Sequence, residues 1–143
     1  MSTSGIRIKR AQRLPVKTSI VYFAVSLLCI LIANVYAIFG HGVRSSSMDF
    51  MFLYPILGGT LVFLLLALVL AKLPPKLRRL SRIAYNLYNS GIAAFTSAAM
   101  LTGIMEIAGT GSEWIIYMKG FGFVVMATSI VYQIHYTNGR VRE

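Results

Sequence analysis

The chain has 143 residues, which leaves room for a single domain. Hydrophobic residues make up 57% and charged residues 13%, whereas soluble domains have about 25% charged residues. The formal net charge is +10, but the cations stand in short blocks between apolar runs, which argues against a nucleic-acid-binding surface. The single cysteine, Cys29, excludes an intramolecular disulfide, a CxxC redox pair and a thiolate metal cluster.

The chain begins with a basic arm, residues 1–17, which is predicted to lie in the cytoplasm. Pro15 at its end is expected to discourage helix there. Residues 18–39 carry no charge and are long enough to cross a hydrocarbon core about 30 Å thick. We interpret them as the first transmembrane helix. The alternative is a cleaved signal peptide ending near Ala37, although the apolar run is longer than usual for one.

The second predicted span, residues 50–71, follows a short loop. Asp49 stands where an N-cap is expected, just before the apolar run. Gly58 and Gly59 predict a weak point in the regular helix backbone, near the middle of the membrane. The second half of the span is aliphatic and suits contact with lipid.

Two further spans are predicted at residues 83–108 and 113–135. The basic loop 72–82 precedes the third span, and Gly109 to Ser112 form a tight turn before the fourth. A short tail, residues 136–143, ends the chain. The fold class is therefore all-α, a polytopic four-helix transmembrane bundle.

Lys and Arg concentrate in the arm, the second loop and the tail. These three segments lie on the same side of the membrane only if the chain crosses it four times. Because cytoplasmic loops are enriched in these residues, both termini are predicted in the cytoplasm, with the chain in the plasma membrane. Each cation near an anionic leaflet contributes about 1 kcal/mol. The residues expected to contact anionic lipid of the inner leaflet are Arg7, Lys9, Arg10, Arg13, Lys17, Lys72, Lys76, Arg78, Arg79 and Arg82.

Glu106 and Lys119 are the charges placed within apolar spans. The short turn between their helices should bring them to similar depth, which predicts an ion pair near the outer surface. A structural clasp between the two helices is one interpretation, and part of a solute or ion site is the other.

The third span has polar or small residues on both faces, so we expect it to be the most buried helix. Its polar stripe consists of Asn86, Asn89, Ser90 and Ser97, and its small residues include Gly91, Ala94 and Ala98. Packing between helices explains both sets, with a polar permeation path as the alternative for the stripe.

The first and fourth spans each have one small or polar face that is expected to point inward. These faces consist of Tyr22, Ser26, Cys29, Ala33 and Ala37 on the first span, and of Lys119, Gly122, Met126, Ser129 and Gln133 on the fourth.

No nucleophile is paired with a base, and the loops are short, so the sequence predicts no enzyme, no cofactor and no metal. His41 and His135 are predicted at opposite ends of their helices, which is too far apart for the two to share a metal ion. The favoured function is a small non-catalytic membrane protein that packs with other membrane proteins or with lipids. The alternative is a small homo-oligomeric transporter or channel with Glu106 and Lys119 at its outer site.

Overall fold

A computed structural model of the chain describes residues 3–73 and 79–141, with side chains for residues 13–73 and 79–139. The described part is helical throughout. Four helices are long and apolar enough to cross a membrane, and they match the predicted spans in number and order. They are Arg13–Phe39, Ser46–Lys72, Arg82–Ile107 and Trp114–Gly139.

Helix α1, Thr3–Phe39, contains the first span. It runs through the basic arm with Pro15 inside it, so the expectation that Pro15 would discourage helix there is wrong. A proline within a helix removes one backbone donor, and membrane helices tolerate this loss. The helix ends where His41 adopts a left-handed backbone with φ 55°, and the Gly42 N–H closes the turn on the Ala37 carbonyl at 2.9 Å.

The second span has three parts. Helix α2, Ser46–Asp49, is short, a π-helical segment follows at Tyr54–Leu61, and this runs directly into α3, Val62–Lys72. The N-cap of α2 is Ser45, whose hydroxyl accepts the Met48 N–H at 3.3 Å. The prediction of Asp49 as N-cap is therefore wrong, because the chain enters the helix earlier and Asp49 instead forms two hydrogen bonds with the Arg44 guanidinium.

The predicted weak point in the helix backbone coincides with the π-helical segment, which contains Gly58 and Gly59. A Cβ atom on Gly59 would lie 2.2 Å from Cγ of Tyr22, so glycine is needed for α1 to approach this closely. The Gly58 carbonyl accepts a hydrogen bond from the Tyr88 hydroxyl at 2.9 Å. The irregular backbone thus anchors the second span to the helices on either side of it.

Helices α4, Arg82–Ile107, and α5, Trp114–Val141, form a hairpin. Gly109 closes α4 with φ 69°, while the Gly109 and Thr110 N–H groups donate to the Glu106 and Met105 carbonyls. This is a Schellman motif, which requires a left-handed residue and explains the glycine. The tight turn predicted here is confirmed.

The four spans do not form a closed bundle. Helix α1 packs against the second span, and α4 packs against α2 and the π-helical segment. Among the described helices, α5 approaches only α4 within 8 Å between Cα atoms. One buried core cluster joins the first three spans through Cys29, Ala33, Met48, Met51 and Ala99.

Burial only partly follows the sequence-based expectation. The second span and α4 have equal buried shares of their most apolar stretches, 28% each. The expectation that the third span would be the most buried is therefore wrong, because one of its two polar faces points outward. The inward faces of the first and fourth spans are confirmed at Ser26, Cys29 and Ser129, all of which are buried.

Candidate functional site

The Glu106 carboxylate lies one turn from the end of α4 and is held by two serines. It accepts hydrogen bonds from the Ser45 and Ser47 hydroxyls, the latter at 2.7 Å. Ser45 is buried and also caps α2. One hydroxyl thus joins the N-terminus of α2 to α4, and an anion at that N-terminus is favoured because the first N–H groups of a helix have no partner inside the helix.

A glycine on α4 makes this contact sterically feasible. A Cβ atom on Gly103 would lie 2.5 Å from Cβ of Met48 and 3.0 Å from its backbone nitrogen. Met48 is itself almost fully buried. Helix α2 therefore lies directly on α4, which places the two serines within reach of Glu106.

The predicted direct ion pair between Glu106 and Lys119 is not formed. Within the described residues, the ion pair with a nitrogen–oxygen distance under 4 Å is Arg44 with Asp49, at 3.0 Å. The hydrogen bonds from the Arg44 guanidinium to the Asp49 carboxylate, together with the negative charge of Asp49, raise the pKa of Arg44. Glu106 and Lys119 still interact electrostatically, but the hydrogen bonds to the Glu106 carboxylate come from the two serine hydroxyls. The sequence gives no signal for Ser45 and Ser47, because they come just before the second apolar run, in a segment with no periodic pattern.

Lys119 instead lines a cleft of about 400 Å³ between the second span, α4 and α5, which we call the Lys119 cleft. The cleft exists because α5 packs on α4 and leaves a gap beside the second span. Its walls are mostly apolar and include Phe50, Leu57, Ile92, Phe95, Ala99 and Met126. Tyr54 and Phe95 stack on each other at one side, with ring centroids 5.7 Å apart.

The structure divides the predicted polar stripe of α4. Asn86, Ser90 and Ser97 are exposed, and their side chains have no hydrogen-bond partner among the described residues. Asn89 points elsewhere and accepts a hydrogen bond from the Tyr22 hydroxyl at 2.7 Å. The four residues therefore do not line one path inside a single chain.

An aromatic cluster surrounds the buried ring of Phe63, in the half of the bundle opposite to Glu106. The rings of Tyr22, Tyr85 and Tyr88 lie around it, with centroids 5.6 to 5.9 Å away. Three hydroxyl contacts tie the cluster together: Tyr22 to Asn89, Tyr88 to Gly58, and Tyr85 with Thr18 at 2.8 Å. The sequence contained a signal for this cluster, since these residues lie at similar depth along antiparallel spans.

All five predicted lipid-contacting cations whose side chains are described lie at one end of the molecule. Contacts of Tyr85 with Thr18, and of Ser129 with the Ala84 carbonyl, bring the corresponding ends of α1, α4 and α5 together. The exposed cations at this end are Arg13, Lys17, Lys72, Arg79 and Arg82. The side chains of Arg7, Lys9 and Arg10, and the residues Lys76 and Arg78, lie outside the described parts. The opposite end carries Glu106, Asp49 and Glu113.

Among the described residues, no group of three or more His, Cys, Asp or Glu side chains is arranged to hold a metal ion. Comparison of the chain with protein-family models, curated proteins and solved structures finds no match.

Proposed function

We propose that this chain is a small, non-catalytic, multi-pass protein of the plasma membrane that associates with other membrane proteins or lipids in an accessory or assembly role. One observation carries this proposal. Three polar side chains of α4, those of Asn86, Ser90 and Ser97, face outward without a partner among the described residues.

Together with Ala93, these residues form a surface that we call the α4 seam. They recur at steps of four, three and four residues, which is the heptad spacing that keeps one line of a helix against a neighbouring helix. Small residues allow close approach of helices in membranes, and amide and hydroxyl groups hydrogen-bond across such interfaces. In hydrocarbon, these groups have no water to bond with. The seam therefore fits a transmembrane helix of another protein or of a second copy.

The distribution of charge supports an orientation with both termini in the cytoplasm. Five exposed cations gather at the end where the first span begins and α5 ends, while Asp49, Glu106 and Glu113 belong to the other end together with Arg44. Cytoplasmic segments are enriched in Lys and Arg. The cationic end is thus assigned to the cytoplasmic leaflet.

Disulfide cross-linking in native membranes tests the proposed association. In a Cys29→Ser background, Ser90→Cys and Ser97→Cys should give cross-linked species, because the seam is buried against a partner helix. Leu65→Cys is the control, since Leu65 is 51% exposed on the aliphatic face of α3. A product of twice the chain mass indicates a second copy, and any other mass indicates a different protein. Equal cross-linking of the seam and control positions would contradict the proposal.

A homo-oligomeric transporter or channel is the second candidate, because copies joined at the seam would place Asn86, Ser90 and Ser97 around a shared axis. The outer site formed by Glu106 and Lys119 would then lie away from this axis, because both residues are on the side of α4 opposite to the seam. Solute flux in proteoliposomes that Glu106→Gln abolishes, with folding intact, would favour this candidate over the accessory role.

A further inference from the structure

We propose that the Lys119 cleft binds a phospholipid, with the phosphate on the Lys119 ammonium and one acyl chain along the apolar wall. This inference rests on the proposed membrane location and names the lipid chemistry that the accessory protein would recognise. It concerns a different surface from the α4 seam.

The charge of Lys119 provides the first argument. The side chain is half-buried inside an apolar span and makes no hydrogen bond or ion pair with the described residues. A charged group at this position is costly unless it is paired. Glu106 does not pair with it directly, because Ser45 and Ser47 hold that carboxylate against α2. Glu106 therefore acts on Lys119 only through space, and a phosphodiester supplies a direct anionic partner that accepts charge-assisted hydrogen bonds from the ammonium.

The shape of the cleft provides the second argument. Its volume of about 400 Å³ lies within the usual range of ligand sites. Lys119 and Met126 line it and are seven residues apart on α5, a rise of roughly 10 Å, which is less than the roughly 15 Å depth of one leaflet. The rest of the lining is mostly apolar and includes Phe50, Leu57 and Phe95, while Ser47 and Tyr54 add hydroxyl groups. A phospholipid with its headgroup at Lys119 and a single acyl chain that extends along the apolar lining toward Met126 fits this cleft.

The packing of the helices explains why lipid can enter. Among the described helices, α5 approaches only α4 within 8 Å between Cα atoms, so no close helix packing seals the gap between α5 and the second span. Ile92, Phe95 and Ala99 form the α4 wall of the cleft, whereas the seam residues lie on the opposite face of the same helix. A lipid in the cleft and a protein at the seam therefore do not compete for the same surface.

Native mass spectrometry of the full chain in mild detergent tests the proposal, with dioleoyl phosphatidylglycerol as the probe. We expect one tightly bound phospholipid per chain. Dioleoylglycerol, which has the same chains without the phosphate, should bind at least about tenfold more weakly, as should phosphatidylglycerol to Lys119→Gln, because each change removes one charge-assisted contact. Leu57→Trp should abolish binding by filling the cleft, and it should fold normally because Leu57 is 54% exposed.

Two matched controls define the result. Arg44→Gln removes an exposed cation that does not line the cleft, and Val124→Trp adds a large ring to an exposed position of α5 outside the cleft. Both should bind phosphatidylglycerol as the unmodified chain does. Equal binding of phosphatidylglycerol to Leu57→Trp or Lys119→Gln, or equal binding of dioleoylglycerol and phosphatidylglycerol, would overturn the proposal.

A further variant separates this inference from the proposed function. Ser90→Leu should abolish association at the seam and leave the bound phospholipid in place, while Leu57→Trp should do the opposite. Loss of lipid specificity with seam cross-links preserved would refute the cleft proposal alone. Absence of cross-links with lipid binding preserved would refute the association alone.

Discussion

Gly91 of α4 and Gly122 of α5 lie directly against each other. A Cβ atom on Gly91 would be 2.9 Å from the carbonyl oxygen of Gly122, and one on Gly122 would be 3.2 Å from the carbonyl oxygen of Gly91. Since α4 is the helix that holds α5 among the described elements, this pair of glycines determines how closely the last span joins the rest of the protein.

Replacement of Gly91 by alanine should separate α4 from α5. The added methyl group would also lie 2.2 Å from Cγ of Met126, and although that side chain can move, the Gly122 backbone cannot. Overpacking of this kind costs about 1–3 kcal/mol, measured as a lower free energy of unfolding in detergent. Gly120→Ala is the control, because nothing lies within 4 Å of its Cβ position. Equal loss of stability in both variants would show that the close approach is unimportant.

Removal of the Ser45 hydroxyl should weaken the junction between α2 and α4. Ser45→Ala removes both the N-cap of α2 and one donor to Glu106, and the loss of an N-cap alone costs about 0.5–2 kcal/mol. The neighbouring Ser46 is exposed and makes no side-chain hydrogen bond with the described residues. Ser46→Ala should therefore change the unfolding free energy by less than about 0.5 kcal/mol.

Double-mutant cycles distinguish this junction from the ion pair that the sequence predicted. Ser45→Ala and Glu106→Gln should show coupling above about 0.5 kcal/mol, because the two side chains are in direct contact. Glu106→Gln and Lys119→Met should couple more weakly. The reverse order would restore the Glu106–Lys119 clasp as the main interaction.

The number of spans and their order could be predicted because length and hydropathy determine them, and Gly109 marked the turn between α4 and α5. Other features depended on tertiary contacts that have no local pattern. The sequence predicts the wrong partner for Glu106 because Lys119 is the nearest opposite charge along the hairpin, whereas Ser45 and Ser47 reach it from the start of the second span. Hydroxyl donors in loops carry no sequence signal for the carboxylate that they bind.

The polar residues of α4 show a second limit. Their positions on the helical wheel predicted that both faces need protein neighbours, but periodicity cannot say whether the neighbour belongs to the same chain. Asn89 finds Tyr22 within the chain, while Asn86, Ser90 and Ser97 do not find a partner among the described residues. The sequence therefore predicts a contact surface and leaves its occupant open.

The orientation can be tested with single cysteines in a Cys29→Ser background. Ser46→Cys and Asn138→Cys both replace exposed residues, at opposite ends of the molecule. An impermeant thiol reagent added to sealed cells should label the first and not the second, because the cationic end is expected to face the cytoplasm. Asn138→Cys must become reactive once the cells are permeabilised.

The hydrogen bond from the Tyr22 hydroxyl to Asn89 should contribute measurably to the attachment of α1. These two side chains join α1 to α4 at 2.7 Å, although no described residues of the two helices approach within 8 Å between Cα atoms. Side-chain hydrogen bonds between membrane helices contribute about 0.6 kcal/mol on average and up to about 1.7 kcal/mol. Tyr22→Phe should lower the unfolding free energy by an amount in this range, because it leaves the Asn89 amide without its donor while keeping the stacking on Phe63.

Tyr36→Phe is the matched control, since the Tyr36 hydroxyl has no hydrogen-bond partner among the described residues, and it should have almost no effect. Combining Tyr22→Phe with Asn89→Leu should recover part of the loss, because the second change removes the polar group that the first leaves unsatisfied. Strictly additive effects of the two substitutions would mean that the pair does not hold α1 in place.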